Sequence, residues 1–153
     1  MSVEAPSTLR VPSSLVDAVS AAYRGPGRAY HDVSHLEEVV ARFHEVAAGP
    51  GWKKPVEVFL ALLFHDAVYV PGASDNEARS ARLADVALVQ HAVDADAEVL
   101  RSLILYTASH GRLEGVPLSS DAALFLDCDM AVLGADASRY DAYERAIAAE
   151  YAA

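Results

Sequence analysis

The chain has 153 residues, with 22 Asp+Glu against 12 Lys+Arg for a formal charge of −10, and 53% of its residues are apolar. This is one domain's length with enough apolar side chains for a core, and its acidic field disfavours duplex nucleic acid and anionic membrane surfaces as partners. No apolar run reaches the ~20 residues a bilayer crossing needs, the opening MSVEAPSTLR lacks the layout of a signal peptide, and the lone Cys128 closes no intrachain disulfide, so a cytoplasmic location is expected.

Thirty alanines and apolar positions recurring at three- and four-residue spacing predict helix nearly throughout. The expected fold is all-α: one compact domain over residues 1–153, built as a bundle of six or seven helices. The first helix runs from about Ser14 to Arg24 and stops at Gly25-Pro26-Gly27. A second starts near His35, where Ser34 and Glu37 have capping-box spacing, and ends before Gly49-Pro50-Gly51. The third opens with Pro55, carries the run Val58 to Phe64 that is apolar on all sides, and ends near Tyr69; such a helix belongs at the centre of a bundle.

Ser74 and Glu77 repeat the capping-box spacing and start a fourth helix to about Gln90. Asp94 caps a fifth that runs toward His110-Gly111. Ser119 or Ser120 opens a sixth, which continues to about Leu133 before Gly134. Asp136 or Ser138 starts a last helix rich in alanine and tyrosine (Tyr140, Tyr143, Tyr151), offering either a core face or a homodimer interface.

Within this pattern His65-Asp66 stands at the end of the most apolar segment, where a bare carboxylate costs several kcal/mol unless a cation or hydrogen-bond donors compensate it. Other ligand-type residues also fall at helix ends: His35, and Asp127 and Asp129 in the otherwise apolar run Leu124 to Met130. Three helices would then converge on one ion. Two imidazoles and two carboxylates suit a divalent transition metal such as Mn, Fe, Co, Ni or Zn, whereas Ca²⁺ would call for more oxygen ligands. Cys128, without a basic neighbour, reads as a small buried side chain, and His44 and His91 read as surface or loop histidines.

His35, His65-Asp66 thirty residues later and an aspartate sixty-three residues further on resemble the HD superfamily of metal-dependent phosphohydrolases. Arg28-Ala29-Tyr30-His31, Phe64 to Tyr69, Asn76 to Ala81, Thr107 to His110 and Phe125 to Gly134 extend the resemblance to a small bacterial subgroup of that superfamily. It spans about two thirds of the chain. The resemblance implies an all-helical core, His35, His65, Asp66 and Asp129 as metal ligands, and hydrolysis of a phosphate ester of a small metabolite or nucleotide by metal-activated water. Asp129 is favoured over Asp127 because it follows a small residue and precedes an apolar one.

Around these ligands Asp66 is the expected proton acceptor, and Glu77 and His110 are further catalytic candidates, with His110 also placed to hold a second ion. Arg28, His31, Asn76 and Thr107 are the expected substrate contacts, Arg28 because a guanidinium holds two phosphate oxygens at once. Two other readings stand beside the hydrolase: a di-iron oxygenase using extra histidines such as His91 and His110, and a non-catalytic metabolite-binding domain.

Overall fold

In the computed structural model, which describes residues 3–152, seven α-helices carry the chain, and no strand occurs among the described residues. They are α1 (Ser13–Ala22), α2 (Val33–Ala48), α3 (Pro55–Phe64), α4 (Asn76–Gln90), α5 (Ala97–Tyr106), α6 (Ser120–Asp129) and α7 (Ala137–Tyr151). Two 3₁₀ segments, Thr107–Arg112 and Met130–Gly134, follow α5 and α6. None of these helices is long and apolar enough to cross a membrane.

The all-apolar run settles the architecture. Val58 to Phe64 are each at most 2% exposed, because α1, α2, α4, α5 and α6 all pack around α3. A helix with no polar face is stable only when every face is covered. Tyr23, at the end of α1, joins this core through a hydroxyl that donates to the Leu63 carbonyl at 2.9 Å. On the far side Trp52 stacks on Phe43, with ring centroids 5.4 Å apart.

Several helix ends differ from the expected ones, each for a local reason. Asp32, not Ser34, caps α2: its Oδ1 accepts the backbone N–H groups of Ser34 and His35 at 2.8 and 3.4 Å. Helix α4 begins at Asn76 after Asp75 with no side-chain cap, and Asp96 rather than Asp94 caps α5 by accepting from Val99 N at 3.2 Å. Helix α3 ends at Phe64 instead of near Tyr69, because other partners take the backbone groups that further turns would use. Arg28 donates to the carbonyls of Asp66 and Ala67, Ser80 Oγ accepts from Val68 N, and Asn76 Oδ1 accepts from Val70 N, all at 2.9–3.0 Å. Helices α5 and α6 likewise stop at Tyr106 and Asp129 and tighten into their 3₁₀ segments.

Truncating the central helix should therefore be costly. Leu62→Ala, at a fully buried position, is expected to lower the unfolding free energy by roughly 2–5 kcal/mol, whereas Val89→Ala, at a side chain 82% exposed, should change it by less than about 0.5 kcal/mol. Denaturant unfolding followed by circular dichroism measures both.

Candidate metal centre

The end of α3 brings a histidine and an aspartate to the edge of the core. His65 is the C-cap residue of α3, and its Nδ1 donates to the Leu62 carbonyl at 2.9 Å. A carbonyl only accepts, so Nδ1 carries the hydrogen and Nε2 faces away from the helix. His35 enters from the first turn of α2, held there by the Asp32 cap, and Asp129 enters as the last residue of α6. His35 and His65 are buried, and Asp66 and Asp129 half-buried; one ligand atom from each of the four lies within 4.8 Å of all the others.

The distances inside the group are short. The two Nε2 atoms are 3.3 Å apart; Asp129 Oδ1 is 3.2 Å from each of them, and Asp66 Oδ2 is 3.0 Å from His65 Nε2 and 3.6 Å from His35 Nε2. Burial alone would pull the His35 imidazole down, but hydrogen bonds with Asp129 and Asp66 outweigh it and push it up to about 9. For His65 too, burial is outweighed by the charges of Asp66 and Asp129, which hold its pKa well above the ordinary imidazole range. Burial works against ionisation of the two carboxylates, yet the His65 charge and the surrounding imidazole hydrogen bonds keep both far below the usual carboxylate range. The four side chains thus neutralise one another while the imidazoles hold protons. A divalent cation supplies the same positive charge to the same carboxylates, and two nitrogen and two oxygen donors at this spacing suit a transition metal.

Beside the group lies a cavity of about 270 Å³, with His31, Asp66, Glu77, Thr107, His110 and Asp129 on its wall. Six of the residues expected to form the site therefore face one space. His110 reaches the group directly, its Nε2 2.7 Å from Asp129 Oδ2. The Thr107 hydroxyl donates to the Ile104 carbonyl at 2.7 Å, so toward a ligand its oxygen is left as an acceptor. Asp127 is exposed on the opposite face of α6, which leaves Asp129 as the carboxylate turned toward the histidines.

Two expected substrate contacts are engaged elsewhere. The Arg28 guanidinium donates to the carbonyls of His31, Asp66 and Ala67 at 2.6, 2.9 and 2.9 Å, and sits over the Tyr23 ring, 5.0 Å from its centroid. It braces the loop before α2 against the loop after α3, so its place is behind the site. The Asn76 side chain bonds both backbone groups of Val70, at 2.9 and 3.0 Å, and pins the turn before α4. His91 lies with Ser14, 3.3 Å away, far from the group, and His44 is exposed. Cys128 is buried, and burial together with the Asp127 charge pushes its thiol up to about 11.

Sequence reasoning passed over Glu150, whose buried carboxylate touches His31 at 2.8 Å. Among alanines near the end of a polar helix it has the pattern of a solvated residue. Tyr30 and Tyr69 also line the cavity, and nothing in the sequence singles either out from the segment it belongs to.

Ion binding must displace the protons that the imidazoles hold. Titration with Mn²⁺ or Zn²⁺ at neutral pH is expected to release roughly one to two protons per ion, read by calorimetry in buffers of different ionisation enthalpy. Without metal, the folded His35 pKa of about 9 exceeds the ordinary imidazole value of 6.5, so the folded state binds the proton more tightly than the unfolded one. The stability this contributes is complete below pH 6.5 and is lost as pH rises through about 9. Melting temperature against pH should fall across that window in metal-free protein.

No family model matches the chain, and no curated protein and no solved structure matches it either.

Proposed function

We propose that this protein is a metal-dependent hydrolase of phosphate esters of small metabolites or nucleotides. The observation that carries the reading is the His35/His65/Asp66/Asp129 group itself, four nitrogen and oxygen donors from α2, α6 and the turn that ends α3, gathered beside a cavity of about 270 Å³. These four residues would hold the ion, which when bound neutralises charge on a phosphoryl oxygen and activates water.

The chain's own side chains account for the rest of the chemistry. Asp66 and Asp129 line the cavity, and the Glu77 carboxylate on the same wall is a further proton acceptor. His110, hydrogen-bonded to Asp129, offers a ring nitrogen for proton transfer. Tyr30, Tyr69 and Tyr143 form much of the remaining wall, giving an organic group flat apolar faces. The resemblance to HD phosphohydrolases in the motif residues points the same way, and Arg28 serves this arrangement by bracing two of the loops that carry it.

The test is a pair of variants. Asp66→Ala and His65→Ala should each lose the bound divalent ion, measured by metal analysis after chelator-free purification. They should also lose phosphate release from a panel of phosphate esters by more than the roughly 10–100-fold that an outer partner of a metal ligand accounts for. The ion should raise the melting temperature of the wild type and not of the variants, since a ligand that binds only the folded state stabilises it. Full phosphate release by metal-free Asp66→Ala protein would overturn the reading.

A further inference from the structure

Helix α7 is fastened by an unusual residue. Its one buried side chain is a carboxylate, Glu150, 1% exposed. Such a group is stable out of water only when donors surround it, and two kinds of donor do so. Oε1 accepts the successive backbone N–H groups of Ala29, Tyr30 and His31 at 2.9, 2.8 and 2.8 Å, and Oε2 lies 2.8 Å from Nδ1 of His31. Burial pushes the Glu150 carboxyl up, but the His31 contact and the backbone donors prevail and hold it below its ordinary value.

The molecule contains its own comparison. Asp121, also buried, anchors the loop before α3 by accepting the backbone N–H groups of Lys53 and Lys54 at 3.0 and 2.7 Å. Backbone contacts therefore suffice for anchoring, and the imidazole contact of Glu150 goes beyond them. A carboxylate only accepts, so Nδ1 of His31 carries a hydrogen and Nε2 is the ring nitrogen left for a ligand. That atom stands 3.9 Å from Asp66 Oδ2, on the cavity wall. The ring itself is clamped: Tyr69 stacks on it with centroids 4.0 Å apart and planes 26° apart, and Tyr30 meets it edge-on at 5.0 Å.

We infer that Glu150 is a positioning residue that holds Nε2 of His31 as a hydrogen-bond acceptor beside Asp66, where it orients the water that attacks a bound phosphate ester, which makes α7 part of the active site. This rests on the phosphohydrolase reading. The carboxylate acts twice: its Oε1 shapes the backbone from Ala29 to His31, and its Oε2 selects the ring tautomer. Glu150 is the one buried residue of α7, and the same side chain that helps to attach the helix also aims the imidazole, alongside the packing of Tyr143 on Tyr30.

Glu150→Gln separates these roles. The amide oxygen still accepts from the backbone, but the amide NH₂ is a donor facing Nδ1, so the ring hydrogen must move to Nε2. Histidine ¹⁵N spectra of metal-free protein in mildly alkaline buffer should show the Nδ1–H tautomer of His31 in the wild type and the Nε2–H tautomer in the variant. With the ion bound, kcat should fall on the order of 10²-fold, as a misaimed group costs, while KM changes far less and the metal-induced rise in melting temperature is retained. His31→Gln should lose as much, and the double variant no more, because both act through one ring. An unshifted tautomer, a wild-type kcat in Glu150→Gln, or losses that multiply in the double variant would each overturn the inference. If Glu150→Gln does not fold, Glu150→Asp takes its place: it keeps the charge but is too short to serve backbone and ring together, so the same kcat loss without further loss on adding His31→Gln is expected. A wild type that neither binds a divalent ion nor releases phosphate would refute the hydrolase reading instead, and the tautomer comparison would still decide whether Glu150 orients His31.

Discussion

Two imidazoles and two carboxylates held within 4.8 Å of one another at the rim of an apolar core form the constraint around which the rest of this molecule is arranged. Such a group is unfavourable unless every charge is matched. Protons on the histidines provide the match in the free protein, and that is why imidazoles and carboxylates shift in opposite directions. The same complementarity makes the group exchangeable, since a small dication answers the carboxylates as well as two protons do.

Holding four side chains so close requires rigid elements that end where the group begins. Helix α3 is locked by burial on every side and stops at Phe64, which delivers His65 and Asp66 at a defined point on the core surface. Beyond that point the backbone is secured by polar side chains: Arg28, Ser80 and Asn76 take the groups that a further helical turn would have used. Buried apolar contacts therefore place the site, and a ring of side-chain-to-backbone hydrogen bonds shapes its rim.

Much of this was legible from residue order. The run Val58 to Phe64 has no polar face, so its central place follows from pattern alone, and His65-Asp66 at its end signals a compensated charge. Cap positions were less legible, because Asp32 competes with Ser34, and Asp96 with Asp94, within two residues, and only backbone geometry decides between them. Arg28 and Asn76 suit phosphate by their chemistry, yet the structure engages both with carbonyl and amide groups left over by an early helix end, which no local pattern encodes. Glu150 was invisible for a related reason. Its partners lie about 120 residues earlier in the chain, and an isolated glutamate among alanines carries no periodic signal.

The His35/His65/Asp66/Asp129 group also has a rear face. A second cavity, of about 250 Å³, reaches His35 and Asp129 from the side of α2, with Arg42 and Arg139 on its wall. Each arginine is paired to a glutamate, Arg42 with Glu45 and Arg139 with Glu38, so this approach is close to electrically balanced while the chain as a whole is strongly acidic. Tyr30, Asp129 and Val132 line both spaces.

The contact of the α7 carboxylate with the loop before α2 also implies an order of assembly during synthesis. All four donors have left the ribosome once residue 129 has emerged, and the core helices that carry them can close at that stage. The imidazole of His31 gains its partner only some twenty residues later, when Glu150 arrives and draws the last helix across the opening. The pocket is thus finished from its floor upward, with the wall that α7 supplies joining after the residues it covers.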